Sequence, residues 1–364
     1  MNVFPHQNIY QRIYMDRKIN FAKAINEATE LSMKKFSNVF IFGLGVPDPK
    51  GIFGTTTGLQ KKFGKNRVFD MPLAENGMTG VAIGAALNGY RPIITHQRIE
   101  FALLSIEQII NQAAKWNYMT AGKQQVPIVI RMIVGRGWGQ GPQHSQNLES
   151  LFAHIPGLKV VMPFSPKDAK GLLISSIEDN NPVVFIEHRW LHSIQQRVPK
   201  IYYKTPIGKA RLITRGKNIS FLSYSFGIFE CLKAAKILKK KYNIFAEVVD
   251  LRTIRPIDKK TILNSVKKTK KAIVVDNSWK SFGVSSEVLS IIYEGLGKRY
   301  LNSVVRVGNV EVPCPSTRAL AKDYYSNYIN IINETLKMFK IKNKFIAENS
   351  LLNDVPDTNF TGPF

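Results

Sequence analysis

The chain has 364 residues, 44% of them apolar, and 51 Lys and Arg against 26 Asp and Glu give a formal charge of +25. That length exceeds one small domain and the apolar share suffices for two cores; no run reaches the roughly 18 uninterrupted apolar residues of a membrane span, and the opening MNVFPHQNIYQRIYMDRK lacks the apolar centre of a signal peptide, so a soluble, cytoplasmic protein is expected. The lysines are spread along the chain in short clusters, such as Lys239 to Lys241 and Lys267 to Lys271, with no RNA-binding aromatic motif, zinc finger or basic zipper beside them, which argues against nucleic-acid binding as the main role.

In chain order, β-branched runs alternate with helical patterns from residue 36 to about residue 190. The expected strands are 38–43 (NVFIFG), 91–96 (RPIITH), 126–134 (VPIVIRMIV), 158–163 (LKVVMP) and 182–188 (PVVFIEH). Helix patterns lie at Met78 to Asn88, Ala102 to Tyr118, Asn147 to Ala153 and Pro166 to Asp179. Strands separated by helices predict a parallel sheet covered on both faces. The pattern breaks over 190–212, which reads as an interdomain crossing, and a second βα series follows: NISFLSYS, GIFECLKAAKILKKKY, AEVVDLR, Lys259 to Lys267, AIVVDN, VSSEVLSIIYEGL and SVVRVG. One long helix is expected from Ala319 to Phe339, then a mobile tail, ENSLLNDVPDTNFTGPF. Cys231 and Cys314 form no CxxC and no metal-ligand spacing, so both are expected as buried free thiols in a reducing compartment.

Ligands of open parallel sheets sit outside the carboxyl ends of the strands, which directs attention to polar groups just after them. Glu75 follows VFDMPLA and precedes the small-residue helix TGVAIGAALNG. An acid there, beside Leu73, Ala74 and Met78, is either partly withdrawn from water for function or a helix N-terminal acid held by the macrodipole. Gly80 and Gly84 give that helix a face that admits close packing, in the core or against a subunit. His144 lies in the glycine-rich loop GRGWGQGPQHSQ, where backbone can approach a ligand; the loop is neither a GxxxxGK[ST] phosphate loop nor a strand-linked GxGxxG. Gln97 and Phe101, in HQRIEF after a strand, say little alone.

Taken together, PLAENGMTGVAIGAALNGYRPI, IEQIINQAAKWNYMTAG with VPIVIR, QHSQNLESLFAHIPGLKVVMPFSPKDAKGLL, DNNPVVFIEH and VVDLRTIRPID resemble the beta chain of the decarboxylating first component of 2-oxo acid dehydrogenases, itself similar to the middle and last domains of transketolase. The resemblance spans about residues 18 to 340. It implies two α/β domains, with a pyrimidine-binding domain over 1–195, a linker over 196–212, a transketolase C-terminal domain over 213–340 and a tail over 341–364. It implies that Glu75 contacts the pyrimidine ring of thiamine diphosphate, where a carboxyl group sharing a proton with a ring nitrogen activates the cofactor. By the same resemblance Leu73 and Phe101 pack on the pyrimidine, Gln97 is a polar neighbour, and His144 handles protons or stabilises negative charge. Potassium is implied on the backbone carbonyls of Ile128, Ser176, Ile177, Asp179 and Asn181.

Two departures matter. Where the family carries an acidic pair after the first strand, this chain has Leu44 and Gly45. No GDG motif for the diphosphate and its magnesium is present, so an alpha-type chain is expected to supply that half in a two-plus-two tetramer, with a lipoyl acyltransferase as acyl acceptor. The competing expectation is half of a split transketolase-like carboligase that passes the fragment to an aldehyde or sugar.

Overall fold

The β-branched runs of the first half assemble into a sheet whose alternate residues face opposite helical layers. The structure is a computed structural model that describes residues 17–135 and 139–347; the opening segment, most of the GRGWG stretch and the expected tail 348–364 lie outside the described residues. Strand β1 (Lys18–Asn20) leads into α1 (Phe21–Lys35), whose Asn20 cap accepts from the Lys23 N–H at 2.8 Å. There follow β2 (Val39–Phe42), α2 (Leu59–Phe63), β3 (Val68–Phe69), α3 (Glu75–Leu87), β4 (Arg91–His96), a 3-10 turn at Phe101–Ser105 and a π-helical stretch at Gln108–Ala113 that runs into α4 (Ala114–Met119), and β5 (Val129–Val134). Next come α5 (Glu149–Ala153), β6 (Lys159–Val161), α6 (Pro166–Glu178), β7 (Val183–His188) and β8 (Gln195–Arg197).

The second series is β9 (Arg211–Thr214), β10 (Ile219–Ser223), α7 (Phe226–Tyr242), β11 (Ala246–Asp250), β12 (Thr253–Arg255), α8 (Lys259–Thr269), β13 (Ala272–Trp279), α9 (Val284–Leu296), β14 (Val304–Asn309), α10 (Arg318–Tyr324) and α11 (Tyr328–Met338). The first sheet has the order β12-β6-β7-β5-β4-β2-β3, parallel except for β12, and the second β14-β13-β10-β11-β9, parallel except for β9. Two α/β domains with helix-covered parallel sheets are thus what the chain forms. Ile93, Val129 and Val183 pack with Phe21, Ile25, Ala169 and Leu172 on the layer of α1 and α6. Their neighbours Ile94, Ile130 and Val184 face Ala82, Ile83, Ile109 and Ala113 on the layer of α3 and the 101–119 segment. No helix among the described residues is long and apolar enough to cross a membrane, and both cysteines are buried free thiols.

Three details differ from expectation. The long helix over 319–339 is two helices, because the Asn327 side chain caps α11 by accepting from the Ile329 N–H at 2.9 Å while the Ser326 N–H turns away to the Asn309 side chain at 3.2 Å. The crossing at 190–212 holds structure of its own: β8 pairs antiparallel with β1. Residues 341–347 belong to the C-terminal domain, since Phe345 is buried in its core and exchanges hydrogen bonds of 2.8 and 3.1 Å with the Asn333 amide.

The domains meet along polar contacts as well as apolar ones. Asn147 donates to the Asn277 carbonyl at 2.7 Å, the Ser278 hydroxyl donates to the Asn147 carbonyl at 2.8 Å, and the Tyr224 hydroxyl lies 2.8 Å from Glu149 and 2.5 Å from Asp276. All three of these acidic and phenolic side chains are buried.

Candidate active site

The carboxyl ends of β2, β3, β4 and β5 carry the candidate residues, and a set of short contacts ties their loops together. After β2 the chain turns at Gly43, Leu44 and Gly45, and the Gly45 N–H donates to Asp70, just beyond β3, at 3.2 Å. Gly45 has φ +74°, and a Cβ there would stand 3.0 Å from both the Asp48 carboxylate and the Gln97 amide, so the glycine that replaces an acid is required by the present backbone. After β4, the half-buried Gln97 donates its amide N–H to the Leu44 carbonyl at 3.0 Å. Its neighbour His96 is buried, and burial depresses its imidazole to about 4, so it is neutral at neutral pH.

Glu75 opens α3, the first turn of a helix that packs on the 101–105 turn. The side chain is 4% exposed, yet among the described residues no group hydrogen-bonds or ion-pairs with it. The helix begins at Glu75 rather than at Met78, so the acid sits among the unbonded N–H groups of the first turn and in the positive end of the macrodipole. Leu73, two residues before it, is 80% exposed. Val81 on the same helix and Leu104 on the adjacent turn are also exposed.

His144 comes from the loop after β5. Its Nδ1 lies 2.8 Å from Glu100 Oε1, and its ring centroid is 5.5 Å from that of Phe101, tilted by 55°. Gly139 and Gly141 flank the approach with φ +74° and +70°, and a Cβ on Gly141 would strike the Ser316 hydroxyl of the second domain at 2.6 Å. The structure therefore brings Phe101 and His144 together, with the helix of Glu75 against the Phe101 turn, while Gln97 turns to the loop after β2. Glu100 was missed in the sequence, although HQRIEF places a charge between apolar residues directly after a strand. Burial pushes the Glu100 carboxyl up, against the lowering pull of its own backbone hydrogen bond, His144 and Arg98.

The carbonyl set stands apart, at the amino ends of the same strands. Ile128 precedes β5 and Asn181 precedes β7, while Ser176, Ile177 and Asp179 end α6. The Ile128 carbonyl accepts from the Val183 N–H at 3.0 Å and that of Ser176 from the Asp179 N–H at 3.3 Å. Arg91 donates from one guanidinium nitrogen to the carbonyls of Ile177 and Asp179, both at 2.9 Å, so a protein cation already lies where these two converge.

Fold and site together define a two-domain chain of the transketolase type. Residues 17–193 match the family model described as transketolase, pyrimidine binding domain, and residues 208–328 match transketolase, C-terminal domain. The chain is 38% identical over 329 residues to the pyruvate dehydrogenase E1 component subunit beta of Bos taurus, covering 89% of this chain and 91% of that one. It is 40% identical over 304 residues to the corresponding subunit of Staphylococcus epidermidis, covering 83% and 93%. A solved structure described as split gene transketolase, inactive beta4 tetramer, has the same fold, with a TM-score of 0.73, 20% identity and coverage of 89% and 99%. The chain belongs to the family of pyruvate dehydrogenase E1 beta subunits.

Proposed function

We propose that this chain is the beta subunit of a thiamine-diphosphate-dependent 2-oxo acid dehydrogenase, with Glu75 as its cofactor-activating residue. The observation that carries the reading is Glu75, a residue 4% exposed whose side chain has no partner among the described residues, in the first turn of α3. A carboxyl group with no protein partner is left free to share a proton with a bound ring nitrogen. When bound, thiamine diphosphate supplies a carbon nucleophile and an electron sink that no side chain offers. Glu75 would hold the proton at the pyrimidine, Leu73 and Phe101 would offer apolar contact to that ring, and Gln97 would line its edge. His144 would carry protons or stabilise negative charge at the substrate.

The diphosphate and its magnesium belong to an alpha-type partner in this reading, because the chain has no GDG motif. The exposed Leu73, two residues before Glu75, and the exposed Val81 on the same helix support closure of the site by that partner, in a two-plus-two tetramer that hands the acyl group to a lipoyl carrier. Two buried free thiols suit a reducing, cytoplasmic setting. A domain boundary within 196–212 is in keeping with the gap between the two family matches. Potassium on Ile128, Ser176, Ile177, Asp179 and Asn181 would have to share carbonyls with Arg91. A melting temperature higher in KCl than in choline chloride supports that ion, and equal values remove it.

The test is co-expression with the candidate alpha chain, calorimetry with thiamine diphosphate and magnesium, and turnover of 2-oxo acids. Wild type binds and turns over, while Glu75→Gln binds but loses turnover by roughly 100-fold or more. Binding by this chain alone, or no binding by the pair, refutes the two-chain site.

A further inference from the structure

His144 is held by a contact that its sequence neighbours do not provide. We propose that Glu100 is a positioning residue for His144: its buried carboxylate accepts from the Nδ1–H of the imidazole, fixing the ring's orientation and leaving Nε2 as the nitrogen that can take or give a proton at the substrate. This rests on the reading of the chain as a 2-oxo acid dehydrogenase beta subunit only for the identity of the reaction; the tautomer itself does not depend on it.

The geometry argues as follows. The two side chains come from different loops, Glu100 from the turn after β4 and His144 from the glycine-rich loop after β5, so the 2.8 Å contact joins two separately anchored segments. Their exposures are unequal. The Glu100 side chain is 9% exposed and that of His144 38%, so the carboxylate is the fixed, inner member and the imidazole the outer one, accessible on its far side. Phe101, the next residue after Glu100, packs on the same ring and restricts its tilt. A glycine-rich loop would otherwise leave a half-exposed imidazole free to rotate, with a penalty in ordering entropy at each turnover.

The chemical consequence concerns one proton. A neutral imidazole has one donor and one acceptor nitrogen, and a carboxylate facing Nδ1 demands the donor there. Nε2 then keeps its lone pair and faces outward as the nitrogen able to accept a proton. Arg98 and His144 both pull the Glu100 carboxyl down, against the larger upward push of burial. The competing account is a tie that merely fastens the glycine-rich loop, and it makes no demand on the tautomer.

The experiment labels the six histidines of the full chain with ¹⁵N and assigns His144 by its loss in His144→Asn. Long-range ¹H–¹⁵N spectra of the wild type are expected to show the Nδ1–H form. Glu100→Gln, which keeps an acceptor oxygen but no charge, retains that form, and Glu100→Ala shifts it to the Nε2–H form that free imidazole side chains prefer. In the co-expressed pair, with pyruvate and an artificial electron acceptor as probes, Glu100→Ala lowers kcat roughly tenfold or more and moves the pH profile of kcat/KM, with cofactor affinity unchanged. An Nε2–H form in the wild type, or a Glu100→Ala pH profile superimposable on the wild-type one, overturns the proposal. Failure of the wild-type pair to bind thiamine diphosphate would instead refute the dehydrogenase reading, and the tautomer would still be decided by the spectra of the chain.

Discussion

Glu149→Gln should flatten the pH dependence of stability, and the effect can be sized from the seam between the domains. Tyr224 has one hydroxyl proton and two carboxyl groups within hydrogen-bond distance, Glu149 at 2.8 Å and Asp276 at 2.5 Å. It can donate to only one of them. Asp276 also accepts from the backbone N–H groups of Ser285 and Ser278, at 2.8 and 3.3 Å. Burial, then repulsion from Asp276, pushes the Glu149 carboxyl from its ordinary 4.5 up to about 7. Because the folded value is raised, the folded state holds a proton that the unfolded chain gives up near pH 4.5. The stabilisation is present below that pH and is lost as pH rises to about 7, a change of about 3 kcal/mol at roughly 1.4 kcal/mol per pH unit. The amide introduced by Glu149→Gln would keep an oxygen for Tyr224 and carry no charge at any pH. Urea denaturation from pH 5 to pH 8.5 should then show the variant gaining about 3 kcal/mol on the wild type across that range. Asp250, which burial pushes up to about 8, adds slope common to both proteins and cancels in the comparison. Parallel stability curves would refute the reasoning.

Arg131 and Glu187, both fully buried, form an ion pair at 2.6 Å, and Arg131→Met would leave the carboxylate with His192 alone, 3.3 Å away; urea denaturation should register a loss of about 3 kcal/mol, with a smaller loss when Glu187→Leu is added. Gly157 has φ +97° and a Cβ there would fall 1.9 Å from the Ala114 carbonyl, whereas Gly54 has φ +80° and open space around it. Thermal melts should therefore show Gly54→Ala losing about 1 kcal/mol and Gly157→Ala losing clearly more, or failing to fold.

The order of strands and helices was legible because β-branched runs such as VIRMIV and VVFIEH are separated by helical periods, a pattern that only a covered parallel sheet satisfies. What escaped was whatever depends on partners distant in sequence. Thr253–Arg255 is a three-residue strand with no period to recognise, visible only through its pairing with Val160 and Val161. The break between α10 and α11 hides in one asparagine, Asn327, whose cap competes with helix continuation. Within the candidate site, Gln97, Phe101 and His144 were singled out because their positions after strands restrict them to one edge of the sheet, and of these Phe101 and His144 are in ring contact. Glu100 and Glu149 were not singled out in the sequence, because their partners are a histidine 44 residues away and a tyrosine 75 residues away.

The strand β12 has a consequence for how the molecule can be taken apart. It departs from the second domain's sheet after β11 and completes the edge of the first domain's sheet on β6. A cut at the linker would thus leave the N-terminal piece with a bare, aggregation-prone edge and the C-terminal piece with an orphaned strand. The gap between the two sequence families is a seam in ancestry without being a seam in mechanics. The halves should melt as one unit, and a gene divided there should give working protein only when both pieces are made together.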